Sequence, residues 1–277
     1  PRALAQDGCA TLAAMLVHRE ATPENPTDKP SVVCLHGWPE SSRIWDATLE
    51  ALATAGLRAL APDLPGYGAS PGVRPATWAM HREAFEEWRT EQELDRVSLV
   101  VHDWGGLIGL RWACDHPEAV AALVISGTGF FPDARWHGLA ERMRTPGEGE
   151  RLLAELTQEG FAELMRSHSK GMSPAAIASY WQAFASEDGR AAQLELYRSG
   201  QFAELEPYTG KLDALGVPTL LLWGEHDSFA PAAGALRLLA EIPHAALEIV
   251  DGAGHFVAED EPAAYAAAVA RFLTLEW

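Results

Sequence analysis

The chain has 277 residues, 48% of them apolar and 22% charged. That length suits one large domain, or a core carrying an insertion, and the composition excludes a disordered chain or a coiled coil. A formal net charge of −18 repels nucleic-acid phosphates and anionic membrane surfaces, so neither is expected as a partner.

The N-terminus lacks the basic start and apolar h-region of a secretory signal. No stretch is long and apolar enough to span a bilayer, and a cytoplasmic protein is expected. Cys9, Cys34 and Cys114 are widely spaced, which suggests neither a disulfide framework nor a CxxC metal site.

Taken in chain order, two periods alternate. Short β-type runs fall at residues 31–35, 57–61, 97–101, 120–125, 219–223 and 246–250. Between them lie helical patterns. Ser41 and Ser42 offer capping hydroxyls before Trp45, Leu49 and Leu52, and Gly56 is a stop; Trp78, Phe85 and Trp88 mark a second helix. The glycines after Asp103 open a third, running to Pro117, and residues 261–275 read as a last one. Strands alternating with helices predict a mostly parallel sheet covered on both faces. From about Gly129 to Lys211 the alternation fails. Helical stretches at 150–167 and 174–184 predict a helical cap of residues 129–211, inserted into a core formed by 1–128 and 212–277.

The run "LVVHDWGG" (99–106) ends an apolar strand on a carboxylate followed by two glycines. At the carboxyl end of a parallel strand, a residue on a tight strand-to-helix turn is held out into the cleft, and the helix that follows points its N–H groups there. Asp103 has that place. A carboxylate needs no base to activate it at neutral pH and can attack an sp3 carbon directly. No Gly-rich phosphate loop, HExxH or ligand-spaced Cys/His cluster appears, so neither cofactor nor metal is expected.

The run resembles the nucleophile elbow of the α/β-hydrolase fold, with Asp where Ser is more common. "LHGWP" (35–39) is similar to the oxyanion loop of that family and "APDLPGYGAS" (61–70) to its next strand and turn. "LLLWGEHDSFAP" (220–231) is similar to its acid loop and "GAGHFVAEDEP" (252–262) to its histidine loop. The resemblance spans nearly the whole chain and implies an α/β-hydrolase fold with a triad of Asp103, Asp227 and His255. Glu225 is the competing acid. The backbone N–H groups of Trp38 and Trp104 would form the oxyanion hole.

Two branches of the family fit an Asp nucleophile. The resemblance to haloalkane dehalogenases rests on Val101, Trp104 and the histidine loop; it implies an aspartyl-ester intermediate and a halide bound by the Trp104 indole. Those enzymes often place Asn or Glu where this chain has Trp38, so a second halide donor is expected from Trp136 or Trp181. The resemblance to epoxide hydrolases rests on "HGWPE" and on Tyr197 in "LELYRSG", with Tyr180, Tyr208 or His137 as partner. Fluoroacetate dehalogenases carry an arginine pair where this chain has Trp104 and Leu107. A small, neutral, apolar substrate and water are therefore expected, with Arg111 facing elsewhere, in a monomer or homodimer. A non-catalytic binding protein of the same fold is the remaining alternative.

Overall fold

The computed structural model describes residues 16–275; Cys9 lies outside them. Seven strands form one sheet: β1 (His18–Ala21), β2 (Val32–Leu35), β3 (Ala59–Pro62), β4 (Val97–His102), β5 (Val120–Ser126), β6 (Thr219–Gly224) and β7 (Ala246–Val250). Their order is β1-β3-β2-β4-β5-β6-β7, and every pairing is parallel except that of β1 with β3. All six expected strands are present. The addition is β1, whose sequence "HREA" carries no apolar alternation and pairs at an edge with half of its surface wet.

The pleat sorts side chains onto two faces. Leu35, Leu99, Val101, Leu123 and Ile125 join one core with the helices α2 (Trp78–Glu91), α3 (Trp104–Asp115) and α10 (Ala232–Glu241). Cys34, Val100, Ala122, Val124 and Leu222 join the other, under α1 (Asp46–Thr54), α11 (Val257–Asp260) and α12 (Pro262–Thr274). Burial on both sides is why these strands read as continuous apolar runs.

Between β5 and β6 no strand forms among the described residues. The segment holds α4 (Gly138–Arg144), α5 (Glu148–Glu155), α6 (Gln158–His168), α7 (Pro174–Tyr180), α8 (Glu187–Arg198) and α9 (Lys211–Ala214), with 3-10 turns at Trp181–Phe184 and Phe202–Tyr208. The expected helix over 150–167 is two helices. Thr157 interrupts it, with extended backbone and a hydroxyl that caps α6 by accepting from the Gly160 N–H. Similarly, the helix expected over 174–184 ends at Tyr180 and tightens into the 3-10 turn. Among the described residues no helix is long and apolar enough to cross a membrane. Cys34 and Cys114 are buried thiols.

The chain leaves β2 toward β3 on one side and returns to β4 on the other, so the sheet order reverses between β2 and β4. Loops diverge there and leave a crevice at the carboxyl ends of the strands.

Candidate active site

Four loops converge on that crevice, each following a strand: Trp38 after β2, Asp103 after β4, Asp227 after β6 and His255 after β7. Asp103 is held at φ 48°, ψ −118°, a conformation costly for a residue with a Cβ. The turn is packed tightly enough that its neighbours need glycine. A Cβ on Gly37 would lie 2.4 Å from the Asp103 Cβ, and one on Gly105 would lie 2.3 Å from the Leu35 carbonyl oxygen. Thr128 fastens the elbow by donating its hydroxyl to the Asp103 carbonyl at 2.8 Å.

The two carboxylate oxygens of Asp103 have different partners. Oδ1 accepts the Trp38 N–H at 2.7 Å, while Oδ2 lies 3.6 Å from His255 Nε2. The other expected oxyanion donor, the Trp104 N–H, makes no hydrogen bond to this carboxylate. On its far side the His255 ring meets Asp227, with Nδ1 3.0 Å from both carboxylate oxygens. Asp227 Oδ1 also accepts the N–H groups of Phe229 at 2.9 Å and Ala230 at 2.8 Å, which fix its orientation. The competing acid Glu225 is exposed and accepts from the Gly252 N–H instead.

Burial pushes the His255 imidazole down, but the charge of Asp227, its hydrogen bond and the contact with Asp103 outweigh it, holding the pKa well above the ordinary histidine value. Burial pushes Asp103 up. Contact with His255, the charges of His255 and His102, and the Trp38 N–H bring it below the ordinary carboxylate range. Each shift favours the charged form of its group, and the Asp103 side chain keeps 22% of its surface exposed.

A second layer lies behind the triad. His102 Nε2 lies 2.9 Å from the His255 carbonyl oxygen, and Nδ1 lies 3.1 Å from Glu40 Oε2. Both partners are acceptor oxygens, which suits a ring that donates from both nitrogens; burial disfavours its charge, yet Glu40 outweighs that and raises its pKa. Glu40 in turn accepts the Gly37 N–H at 2.9 Å, coupling the oxyanion loop to the histidine loop. His102 and Glu40 stand inside motifs legible in the sequence, but their 62-residue separation hides the pairing.

Two cavities meet at Asp103. One is narrow and nearly filled by its walls, Trp38, Leu139, Leu164, Met165 and Phe256. The other, of about 110 Å³, is walled by Trp104, Leu107, Thr128, Arg135, Trp136 and Phe202 among others. Asp103, His137, Tyr197, Phe229 and His255 border both. A larger shallow groove bordered by Arg19, Glu20 and Asp46 holds none of the candidate catalytic residues.

Of the aromatic residues expected over Asp103, Trp104, Trp136 and Tyr197 are brought together. Trp136 stacks on Trp104 with centroids 5.6 Å apart, and its buried Nε1 has no hydrogen-bond partner. Tyr197 meets Trp104 edge-on at 5.2 Å. Trp181 is not among them. It packs on Phe161 and Phe184 under Arg190, and borders neither cavity. Of the candidate partners for Tyr197, only His137 reaches Asp103. Tyr180 donates to Glu259, and the Tyr208 hydroxyl lies at Asp115. Arg111 lies over the Trp78 ring at 4.6 Å and borders neither cavity.

The family profile described as alpha/beta hydrolase fold matches residues 30–262. A haloalkane dehalogenase of Mycobacterium marinum is 43% identical over 115 residues, 40% of this chain and 38% of that protein; the match thus spans well under half of the relative's length. A haloalkane dehalogenase of Psychrobacter cryohalolentis is 28% identical over 274 residues, 90% of this chain and 85% of that one. Among solved structures, haloalkane dehalogenase DbeA from Bradyrhizobium elkani superposes with a TM-score of 0.78 at 25% identity, covering 93% of each chain. Sheet order, elbow and matched span agree, and the chain belongs to the α/β-hydrolase fold family.

Proposed function

We propose that the chain is a hydrolase that works through an ester on Asp103 and that its substrate is a small, neutral haloalkane. The observation that carries this is the division of labour within one carboxylate: Oδ1 is engaged by the Trp38 N–H, while Oδ2 has no backbone donor. Oδ2 attacks the carbon and the halide leaves with the bonding electrons. The ester carbonyl is then Oδ1, already on the Trp38 N–H, where negative charge grows when water adds. His255 takes the proton from that water, and as the tetrahedral species collapses it gives the proton to the departing alkoxide, which releases the alcohol and frees Asp103. The Trp104 and Trp136 indoles line the same cavity as Asp103, and the free Nε1 of Trp136 suits it as the second halide donor.

A second reading, epoxide hydrolysis, rests on Tyr197 and His137. Both border the two cavities beside Asp103. His137 Nδ1 accepts the Ala140 N–H, and burial lowers its pKa, so the neutral ring keeps its proton on Nε2. Bromide release and diol formation measured side by side on bromoalkanes and aryl epoxides separate the readings. Bromide is expected, and Trp136→Phe should lower kcat/KM about tenfold by removing a hydrogen bond to an anion. Diol without bromide, with sensitivity to Tyr197→Phe, transfers the function to epoxides; silence in both favours a binding protein.

The charges set a pH dependence. Esterification removes the anion at Asp103, so of its two carboxylate partners His255 keeps Asp227, and its pKa falls from the raised value of the free protein. Water activation needs the neutral ring, so hydrolysis quickens as pH rises through that pKa and then levels. Alkylation needs ionised Asp103 and persists until pH falls below its depressed pKa. Rapid-quench measurement should find more ester at about pH 5 than at about pH 9; the reverse order overturns the assignment of His255.

A further inference from the structure

We infer that Phe229 is the partition between the two cavities and sets the length of the chain that the site accepts; this rests on the reading of the site given above. Five residues border both cavities. Asp103 and His255 perform the chemistry, and His137 and Tyr197 carry polar groups. Phe229 alone is wholly apolar, and it stands half-buried on the loop after β6.

Its ring sits among three imidazoles, with centroids 5.0 Å from His137, 4.6 Å from His168 and 5.1 Å from His255. The Phe229 N–H donates to Asp227 Oδ1, so its backbone is registered to the triad. The segment above it is fastened on both flanks. On one, Asp260 Oδ1 accepts from the Ser169 hydroxyl at 2.6 Å and the Lys170 N–H at 2.9 Å. On the other, the Tyr67 hydroxyl donates to Gln193 at 2.7 Å, and Arg74 pairs with Glu195 and Asp188. With roof and floor tied together, free space changes chiefly through side chains in the wall. The smaller chamber beside Leu139, Leu164 and Met165 is nearly filled by side chains, so a long alkyl chain reaches it only where the wall yields, with the leaving group beside Trp104 and Trp136. Phe229 closes the gap between them.

The test is equilibrium binding of primary alcohols of two to ten carbons, the products of the proposed reaction, with bromide release from the matching bromoalkanes measured in parallel. Binding is followed by tryptophan fluorescence in the wild type, Phe229→Ala and Phe229→Trp. Joining the chambers in Phe229→Ala should raise the ratio of long-chain to short-chain affinity about tenfold, the worth of roughly two newly accommodated methylenes. Phe229→Trp should shift the preference to shorter chains. One length profile in all three proteins, a uniform loss at every length, or no alcohol binding in any of them overturns the inference. A length profile moved by Phe229 without any bromide release keeps the partition and overturns the dehalogenase reading.

Discussion

Mixed with a bromoalkane, a His255→Phe variant should release one equivalent of bromide per chain and then stop, with the alkyl group esterified to Asp103. Alkylation should not need the imidazole, because the nucleophile is a carboxylate that keeps the Trp38 N–H and the charge of His102, and Oδ2 is the oxygen without a backbone donor. Hydrolysis should need it, because the His255 ring stands between Asp227 and Asp103, one nitrogen turned to each. Removal of a positioned general base slows its step by about 10²- to 10⁴-fold, enough to isolate the ester for intact-mass analysis.

The substitution suits the site physically. His255 is enclosed by rings, with centroids 4.8 Å from His102, 5.1 Å from Phe229 and 5.2 Å from Phe256, so a phenyl group replaces it in an aromatic cage. Asp227 loses its ring partner but keeps the Phe229 and Ala230 N–H groups. His102 holds the His255 main-chain carbonyl, which the substitution leaves in place. An isotope test adds to the mass measurement. In the wild type, a single turnover in heavy-oxygen water should place the label in Asp103 and not in the alcohol, since water attacks the ester carbonyl. Label in the alcohol, or continuous bromide release by His255→Phe, is incompatible with the ester route.

The parts of this site that the sequence discloses are those in which one local pattern carries both structure and chemistry. β4 reads as a buried strand because its six residues are apolar or covered, and Asp103 is conspicuous because it ends that run before Gly105 and Gly106. Asp227 and His255 follow from order along the chain. The aromatic residues of the inserted segment are less legible, since Trp136 and Trp181 are equivalent as letters. Only packing separates them: Trp136 stacks on Trp104, while Trp181 stacks on Phe184 within the inserted segment. Glu40 with His102, and Phe229 with its three imidazoles, join residues from separate loops, and no periodicity connects them. β1 escaped for a different reason: a four-residue edge strand with polar side chains derives its structure from pairing with β3 and carries no signal of its own.

Asp103→Gly and Asp103→Ala should both lose activity by about 10⁴-fold or more, as expected when a nucleophile is deleted, yet they should differ in stability in an unusual direction. In a helix interior Ala is more stable than Gly by about 1 kcal/mol. Here the order reverses, because φ 48° with ψ −118° brings a Cβ into conflict with the backbone and glycine escapes that conflict. Both variants lose the same carboxylate, with its Trp38 hydrogen bond and its charge opposite His255, so the comparison between them isolates the backbone term. Denaturant unfolding should find Asp103→Gly more stable than Asp103→Ala by about 1–3 kcal/mol. Equal stabilities mean that the elbow relaxes when the carboxylate is removed, and that the strain is imposed by the hydrogen bonds of Asp103. A higher stability of Asp103→Gly means that Gly37, Gly105 and Thr128 impose the turn independently, holding the nucleophile out in the cleft against its own conformational preference.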